Sequence, residues 1–138
     1  MATVIRPELS KDNPYYISKH RYYELKHLCL QYPEWKREYN RLEAMGITGS
    51  RYDWPSINDV SDPTAKLAIR KTFYSDMMDL VDGCLDLTDS DLAGYLRMAV
   101  TRGLSYEKLQ SRLYVPCGRT EFYRLYRKFF YILDKERR

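Results

Sequence analysis

The sequence has few of the residues from which enzymes and metal centres are usually built. Its three cysteines, Cys29, Cys84 and Cys117, are widely spaced and odd in number, which fits neither a disulfide framework nor a paired-cysteine metal knuckle. There are only two histidines and six glycines, and no nucleophile elbow, phosphate-cradling glycine loop or zinc-protease helix occurs. We therefore expect no enzyme activity, no cofactor and no metal site.

Long apolar runs are also missing. None approaches the roughly 20 residues that a membrane-spanning helix needs, and the opening stretch MATVIRPELSKDNP lacks the apolar core of a secretion signal. The hydrophobic content of 44% and the charged content of 30% are ordinary for a soluble domain. We expect a cytoplasmic protein that does not use a membrane and keeps its cysteines reduced.

The net charge of +4 hides a segregation along the chain. Residues 102–138 hold ten Lys or Arg against four acids, whereas residues 76–91 hold six Asp and no basic residue. A basic C-terminal third beside an acidic segment indicates one end that faces DNA and a separate surface for another partner. Four of the aspartates would form an acidic ridge on one helix, at three- and four-residue spacing: Asp76, Asp79, Asp82 and Asp86.

The stretch from Leu104 to Leu133 carries the most legible pattern. Ser105 can cap a short helix that ends near Leu113, and Pro116 and Gly118 interrupt the chain before a second helix. Apolar residues of the second helix recur at helical spacing on one side: Phe122, Leu125, Tyr126, Phe129, Ile132 and Leu133. Its other side is basic and aromatic: Thr120, Tyr123, Arg124, Arg127 and Tyr131, with Arg119 and Lys128 at the margins. The pattern predicts a helix-turn-helix, whose second helix enters the major groove of DNA.

The chemistry of these side chains divides them into two predicted sets. Arginine can pair with guanine, and threonine can meet a base edge, so the base-reading set is Thr120, Tyr123, Arg124 and Arg127. Cations, hydroxyls and helix starts suit phosphate, so the backbone-contacting set is Ser105, Tyr106, Lys108, Arg112, Arg119 and Lys128. Helical hairpins that never touch DNA show the same spacing, with the charges forming a solvated face.

The remaining patterns predict an all-α fold, a bundle of about four helices followed by the helix-turn-helix. The four predicted helices are Lys19 to Gln31, Pro33 to Ala44, one starting at Ser61-Asp62-Pro63 and running to Val81 or beyond, and Asp89 to Thr101. Thr88 and Asp91 resemble a capping box for the last of these.

The predicted organisation along the chain has three parts. Residues 1–17 form a loose arm, residues 18–101 a helical scaffold with a loop at about 46–60, and residues 102–138 the DNA-binding unit, within one continuous domain. The loop contains Tyr52 and Trp54, which, with the acidic ridge, are the candidate residues for binding a protein partner.

The segment Val60–Arg70, VSDPTAKLAIR, resembles the SDPTxxxAI(R/K) motif of phage-encoded late transcription regulators of the RinA and ArpU type. Tyr32-Pro33 matches a Tyr-Pro pair in their first helices, and Leu104–Leu133 is similar to their sigma-factor-like C-terminal end. The turn Val115-Pro116-Cys117-Gly118 departs from their serine-rich cap, so their base preferences do not transfer. The resemblance implies a phage protein that binds a promoter region and acts on host RNA polymerase in the bacterial cytosol.

The sequence thus leaves several functions open. The first is a sequence-specific regulator that binds double-stranded DNA, as a monomer or a homodimer. The second is a phage inhibitor or adaptor, comparable to an anti-CRISPR protein, that binds a host protein such as a defence nuclease. A related third is a small terminase subunit, which would bind DNA as a ring.

Overall fold

The structure, a computed structural model, describes residues 13–48 and 63–137. Within these ranges the chain forms six helices and no strand, so the predicted all-α fold is confirmed. The helices are α1 (Lys19–Cys29), α2 (Tyr32–Ala44), α3 (Pro63–Thr88), α4 (Ala93–Arg102), α5 (Tyr106–Arg112) and α6 (Arg119–Glu136). Most of the predicted arm, and the loop residues Tyr52 and Trp54, lie outside the described residues.

Most helix ends follow the capping chemistry of the sequence. The Ser18 hydroxyl accepts from the Arg21 backbone N–H at 3.3 Å, and Ser105 caps α5 in the same way by accepting from the N–H of Lys108. Gly103 ends α4 at a φ of 68°. A residue with a side chain is strained in this left-handed conformation, which explains why glycine stands at this helix end.

The junction between α3 and α4 differs from the prediction. Thr88 is the last residue of α3, and its hydroxyl donates to the Cys84 carbonyl at 2.7 Å. The capping role falls to Asp89, whose Oδ1 accepts from the backbone N–H groups of Asp91 and Leu92 at 3.0 and 3.1 Å. The predicted Thr88–Asp91 capping box is therefore wrong, because an aspartate side chain bonds to the backbone two and three residues ahead and delays the start of α4.

The contacts divide the chain into two compact units, with the boundary inside α3. The first unit contains the described parts of Met1–Gln31 and Val81–Arg138, and the second unit is drawn from Tyr32–Leu80. In the first unit α6 packs against α1 and α4, and α5 packs against α4. The helices on both sides of residue 101 share one core, because α4 packs against both α5 and α6.

The second unit has a buried lysine at its centre. The Lys71 side chain is only 5% exposed, and its ammonium donates to the Glu43 carboxylate and, at 2.6 Å, to the Ile47 carbonyl. It also lies over the Tyr39 ring, 5.0 Å from the centroid. A buried cation is tolerated because these groups replace its water.

The core of the first unit is an aromatic cluster between α1 and α6. The rings of Tyr22, Tyr126 and Phe130 meet edge to face, with centroids 5.0 to 6.4 Å apart. The two tyrosine hydroxyls hydrogen-bond to each other at 2.9 Å in the interior. On the same pair of helices, Arg21 Nε donates to the largely buried Asp134 carboxylate at 2.7 Å, so the packing also includes a charged bond.

The three cysteines are free, as expected. Cys29 and Cys84 are buried, and Cys117 is half-buried. Burial raises the pKa of Cys84 to about 11 and that of Cys29 further. These two thiols are therefore poor nucleophiles at neutral pH and serve as small apolar side chains.

The hydroxyl pair in the core makes a prediction for stability. Tyr22→Phe should lower the free energy of unfolding by about 1–3 kcal/mol, because the Tyr126 hydroxyl is left buried without this partner. The double variant Tyr22→Phe/Tyr126→Phe should lose less than the sum of the two single changes, because the hydroxyl that each single change leaves without this partner is absent from the double variant. Urea denaturation measures all three, with Tyr114→Phe at an exposed position as the control; additive losses would contradict the prediction.

The pKa of the same pair gives the direction of its pH dependence. Burial raises the pKa of Tyr22 from 10 to about 12 and also raises that of Tyr126. The stability that the protonated hydroxyls supply is therefore complete below pH about 10 and is lost as the pH rises through about 12.

Candidate nucleic-acid interface

The two helices of the predicted helix-turn-helix are α5 and α6, joined by residues 113–118. Leu109 on α5, Val115 in the connection and Phe122 on α6 are each no more than 1% exposed, so all three parts are anchored in one core. The connection of six residues is longer than the usual three or four of this motif. The short turn usual for the motif therefore does not fix the conformation of this connection, and other contacts must do so.

Side-chain hydrogen bonds from α5 fix the connection. The Gln110 amide donates to the Val115 carbonyl at 3.1 Å and accepts from the Val115 N–H at 3.2 Å. The Tyr106 hydroxyl donates to the Cys117 carbonyl at 2.6 Å, and the Tyr106 N–H donates to the hydroxyl of Tyr123 on α6 at 3.0 Å. These bonds hold the start of α6 in one position relative to α5.

Gln110 has no counterpart among the residues predicted from the sequence. The sequence gives only a weak indication of the role of Gln110. Its amide side chain, which can both donate and accept, stands five residues before a buried valine that precedes Pro116. A buried backbone N–H and C=O in an irregular connection need partners, and an amide supplies both.

The four predicted base readers have different environments. Thr120 and Arg124 are exposed on the first two turns of α6, whereas Tyr123 is only 8% exposed. Its hydroxyl is bonded to the Tyr106 N–H, and the Arg119 guanidinium lies over its ring at 5.0 Å. Tyr123 is therefore a packing residue, and its assignment as a base contact is wrong.

Arg127 is half-buried, and its Nε is enclosed without a hydrogen-bond partner in the described part of the chain. The buried stripe of α6 is wider than periodicity predicts, because α1 and α4 both pack against this helix. Residues at the margin of a helix face are buried when two neighbours flank it. Tyr123 meets the start of α5 through its hydroxyl, and part of Arg127 is covered as well.

The residues predicted to contact phosphate also differ in their environments. Lys108, Arg112 and Arg119 are exposed, but the hydroxyls of Ser105 and Tyr106 serve a helix cap and the connection. The Lys128 ammonium donates to the Thr88 carbonyl at 3.1 Å. A cation at the C-terminal carbonyls of a helix is stabilising, so Lys128 caps α3 in this structure.

Two glutamates hold the exposed arginines of α6. Glu121 accepts from Arg124 Nε at 2.9 Å and from Nη2 at 2.5 Å, and Glu107 on α5 accepts from Arg119 at 2.6 Å. The hydrogen bond from Arg124 lowers the pKa of Glu121. A bond to its own backbone N–H and then the bond from Arg119 lower the pKa of Glu107.

What remains exposed is a basic surface, defined as Lys108, Arg112, Arg119, Thr120 and Arg124. Its four cations are accompanied by the two carboxylates of Glu107 and Glu121. The surface is therefore less positive than the charge of residues 102–138 suggests, and the geometry of its arginines matters more than their number.

The predicted acidic ridge lies on α3. Asp79 and Asp86 are exposed, Asp76 is half-buried, and Asp82 accepts from Arg97 Nε on α4 at 3.0 Å. The ion pair neutralises the ridge at Asp82. As a partner surface it is weaker than four free carboxylates would be.

Comparison with protein-family models, with curated proteins and with solved structures found no match to this chain. The resemblance of Val60–Arg70 to phage late regulators therefore rests on its motifs alone. In the described ranges no group of three His, Cys, Asp or Glu side chains is placed to hold a metal ion. A search of the same residues found no helix with the length and apolar character of a membrane span.

The amide bonds of Gln110 can be tested directly. Gln110→Leu should lower the free energy of unfolding by about 1–3 kcal/mol, because the buried backbone groups of Val115 lose their partners. Hydrogen exchange at the Val115 amide should also become faster. Ser111→Ala, an exposed neighbour on α5, should change stability by less than about 0.5 kcal/mol. Unchanged protection of Val115 would show that the connection is held in another way.

Proposed function

We propose that this chain is a sequence-specific double-stranded-DNA-binding transcription regulator that acts through α5 and α6. The observation that carries this proposal is the exposure of Thr120 and Arg124 on the first turns of α6, directly after a connection fixed by Gln110 and Tyr106. A base-reading helix needs both exposed donors near its start and a rigid attachment.

The proposed complex places the first turns of α6 in the major groove. Thr120 and Arg124 then meet base edges, while Lys108 and Arg112, one turn apart on α5, meet phosphates. Arg119 remains bound to Glu107 or turns to a phosphate. Exposed ion pairs are weak, so a phosphate can displace Glu107 from Arg119 at little cost.

The motifs shared with phage late regulators support a role at a phage promoter. In that role the DNA-binding unit would recruit host RNA polymerase, and the exposed carboxylates Asp79 and Asp86 on α3 are candidate contacts. An acidic side chain and a DNA-facing basic surface on different helices suit a protein that joins DNA to a second macromolecule.

The DNA-binding proposal predicts that an arginine variant and a lysine variant affect DNA affinity in different ways. Arg124→Ala should lose about 1–3 kcal/mol on the preferred site, whereas Lys108→Ala should weaken all sequences alike and lower the salt slope by about one. Binding is measured on random duplex and on DNA flanking the gene, at about 50 and about 200 mM salt. Arg41→Ala, an exposed arginine paired with Glu38 on α2, is the control.

Two outcomes would contradict the proposal. One is a folded wild-type protein that binds no duplex at either salt concentration. The other is an Arg124→Ala variant whose losses on preferred and random DNA are equal, which would remove the base-reading role of α6.

A second candidate function is binding to a host protein, as an inhibitor or adaptor. Leu113 and Tyr114, in the connection between α5 and α6, are 42% and 80% exposed. Exposed aromatic side chains on a rigid segment are frequent anchors of protein interfaces. This observation favours a protein contact at the connection instead of at the acidic ridge.

The protein-binding function predicts that Tyr114→Ala abolishes retention of a host protein, because the loss of a central aromatic anchor typically costs more than about 2 kcal/mol. Immobilised wild-type protein is exposed to nuclease-treated host extract, with Met45→Ala as an exposed apolar control in the second unit. A host protein held by wild type and Met45→Ala but lost with Tyr114→Ala supports this function. Equal retention by all three excludes Tyr114 as the anchor. A stable ring-sized oligomer in light scattering would instead indicate a terminase subunit.

A further inference from the structure

Arg124 is held by a carboxylate on the surface of the first unit. Glu121, one turn earlier on α6, engages its Nε and Nη2 with both carboxylate oxygens. This pair of bonds therefore restricts an exposed side chain.

The donors of Arg124 that remain free determine what it can bind. A guanidinium has five N–H groups. The bonds to Glu121 use the edge formed by Nε and one hydrogen of Nη2. The N–H groups left over include those at the outer end of the guanidinium, whose fork matches the O6 and N7 acceptors of guanine.

We propose that Arg124 reads a guanine in the major groove, and that Glu121 is a positioning residue that holds its guanidinium for this contact. The inference rests on the proposed DNA-binding function and goes beyond it by naming the base and the residue that orients its reader. An immobilised arginine loses less side-chain entropy on binding than a mobile one, and this gain is specific to the site that its fixed orientation fits.

A second glutamate–arginine pair in the chain can be compared with the pair of Glu121 and Arg124. Glu38 and Arg41 on α2 have the same three-residue spacing, but Arg41 donates both bonds to one carboxylate oxygen, Glu38 Oε2. Arg124 instead makes two separate bonds to two oxygens, the more strongly orienting arrangement. Spacing alone therefore does not set the orientation of Arg124, and Glu38→Gln is the matched control.

The test measures base preference with the full chain. Each base pair of the preferred duplex is replaced in turn, and the affinity ratio of guanine to the other bases is determined at every position. Wild type should prefer guanine at one position by roughly tenfold or more, and Arg124→Ala should lose this preference there and nowhere else. Arg124→Lys should keep the salt slope but not the preference, because an ammonium has no fork.

The positioning residue has an effect of its own. Glu121→Gln should reduce the preference at that position by roughly three- to tenfold, while other positions and the unfolding midpoint stay unchanged. Glu38→Gln should leave every base preference unchanged.

The outcomes separate this inference from the function on which it rests. Site-specific binding in which Arg124→Ala keeps the guanine preference overturns the base assignment, and full preference in Glu121→Gln overturns the positioning role. In both cases the DNA-binding function stands. A folded wild type that binds no duplex removes the function and the inference together.

Discussion

The packing of α1 against α6 is the constraint on which the rest of the first unit depends. It joins the aromatic cluster of Tyr22, Tyr126 and Phe130 with a buried hydroxyl pair and the bond between Arg21 and Asp134. Burial of the aromatic rings supplies the driving force for this packing. The polar bonds fix the register of the two helices, because burying the two hydroxyls without their mutual hydrogen bond would cost free energy. The rotation of α6 about its axis is set in this way, and with it the residues that face solvent.

That rotation decides the composition of the proposed DNA-binding surface. The packing that buries Tyr126 and Phe130 also turns Tyr123 inward and partly covers Arg127, leaving Thr120 and Arg124 outside. The surface is therefore small and weakly charged. Its specificity would come from oriented side chains more than from attraction to phosphate, and affinity would depend on how well the carboxylate-held arginines fit their bases.

Interactions between residues close in sequence could be predicted, whereas contacts between residues distant in sequence could not. Ser18, Ser105, Gly103 and Gly118 mark helix ends correctly, because caps and left-handed residues involve only near neighbours. The bond from Lys128 to the Thr88 carbonyl was not predictable, because the two residues lie 40 positions apart. The burial of Tyr123 was missed because helical periodicity does not tell how many neighbours flank a helix. Gln110 was missed because an irregular connection has no period to reveal it.

The hydroxyl bond between Tyr22 and Tyr126 joins residues 104 positions apart, and this separation has a consequence for the order of folding. The second unit is one continuous stretch of sequence that lies between the two parts of the first, so its contacts close over shorter loops and can form earlier. During synthesis α1 must wait, with its aromatic face uncovered, until α6 has been made. The first unit is therefore the slower and more aggregation-exposed half of the chain, and its assembly is completed by the helix that we propose to read DNA.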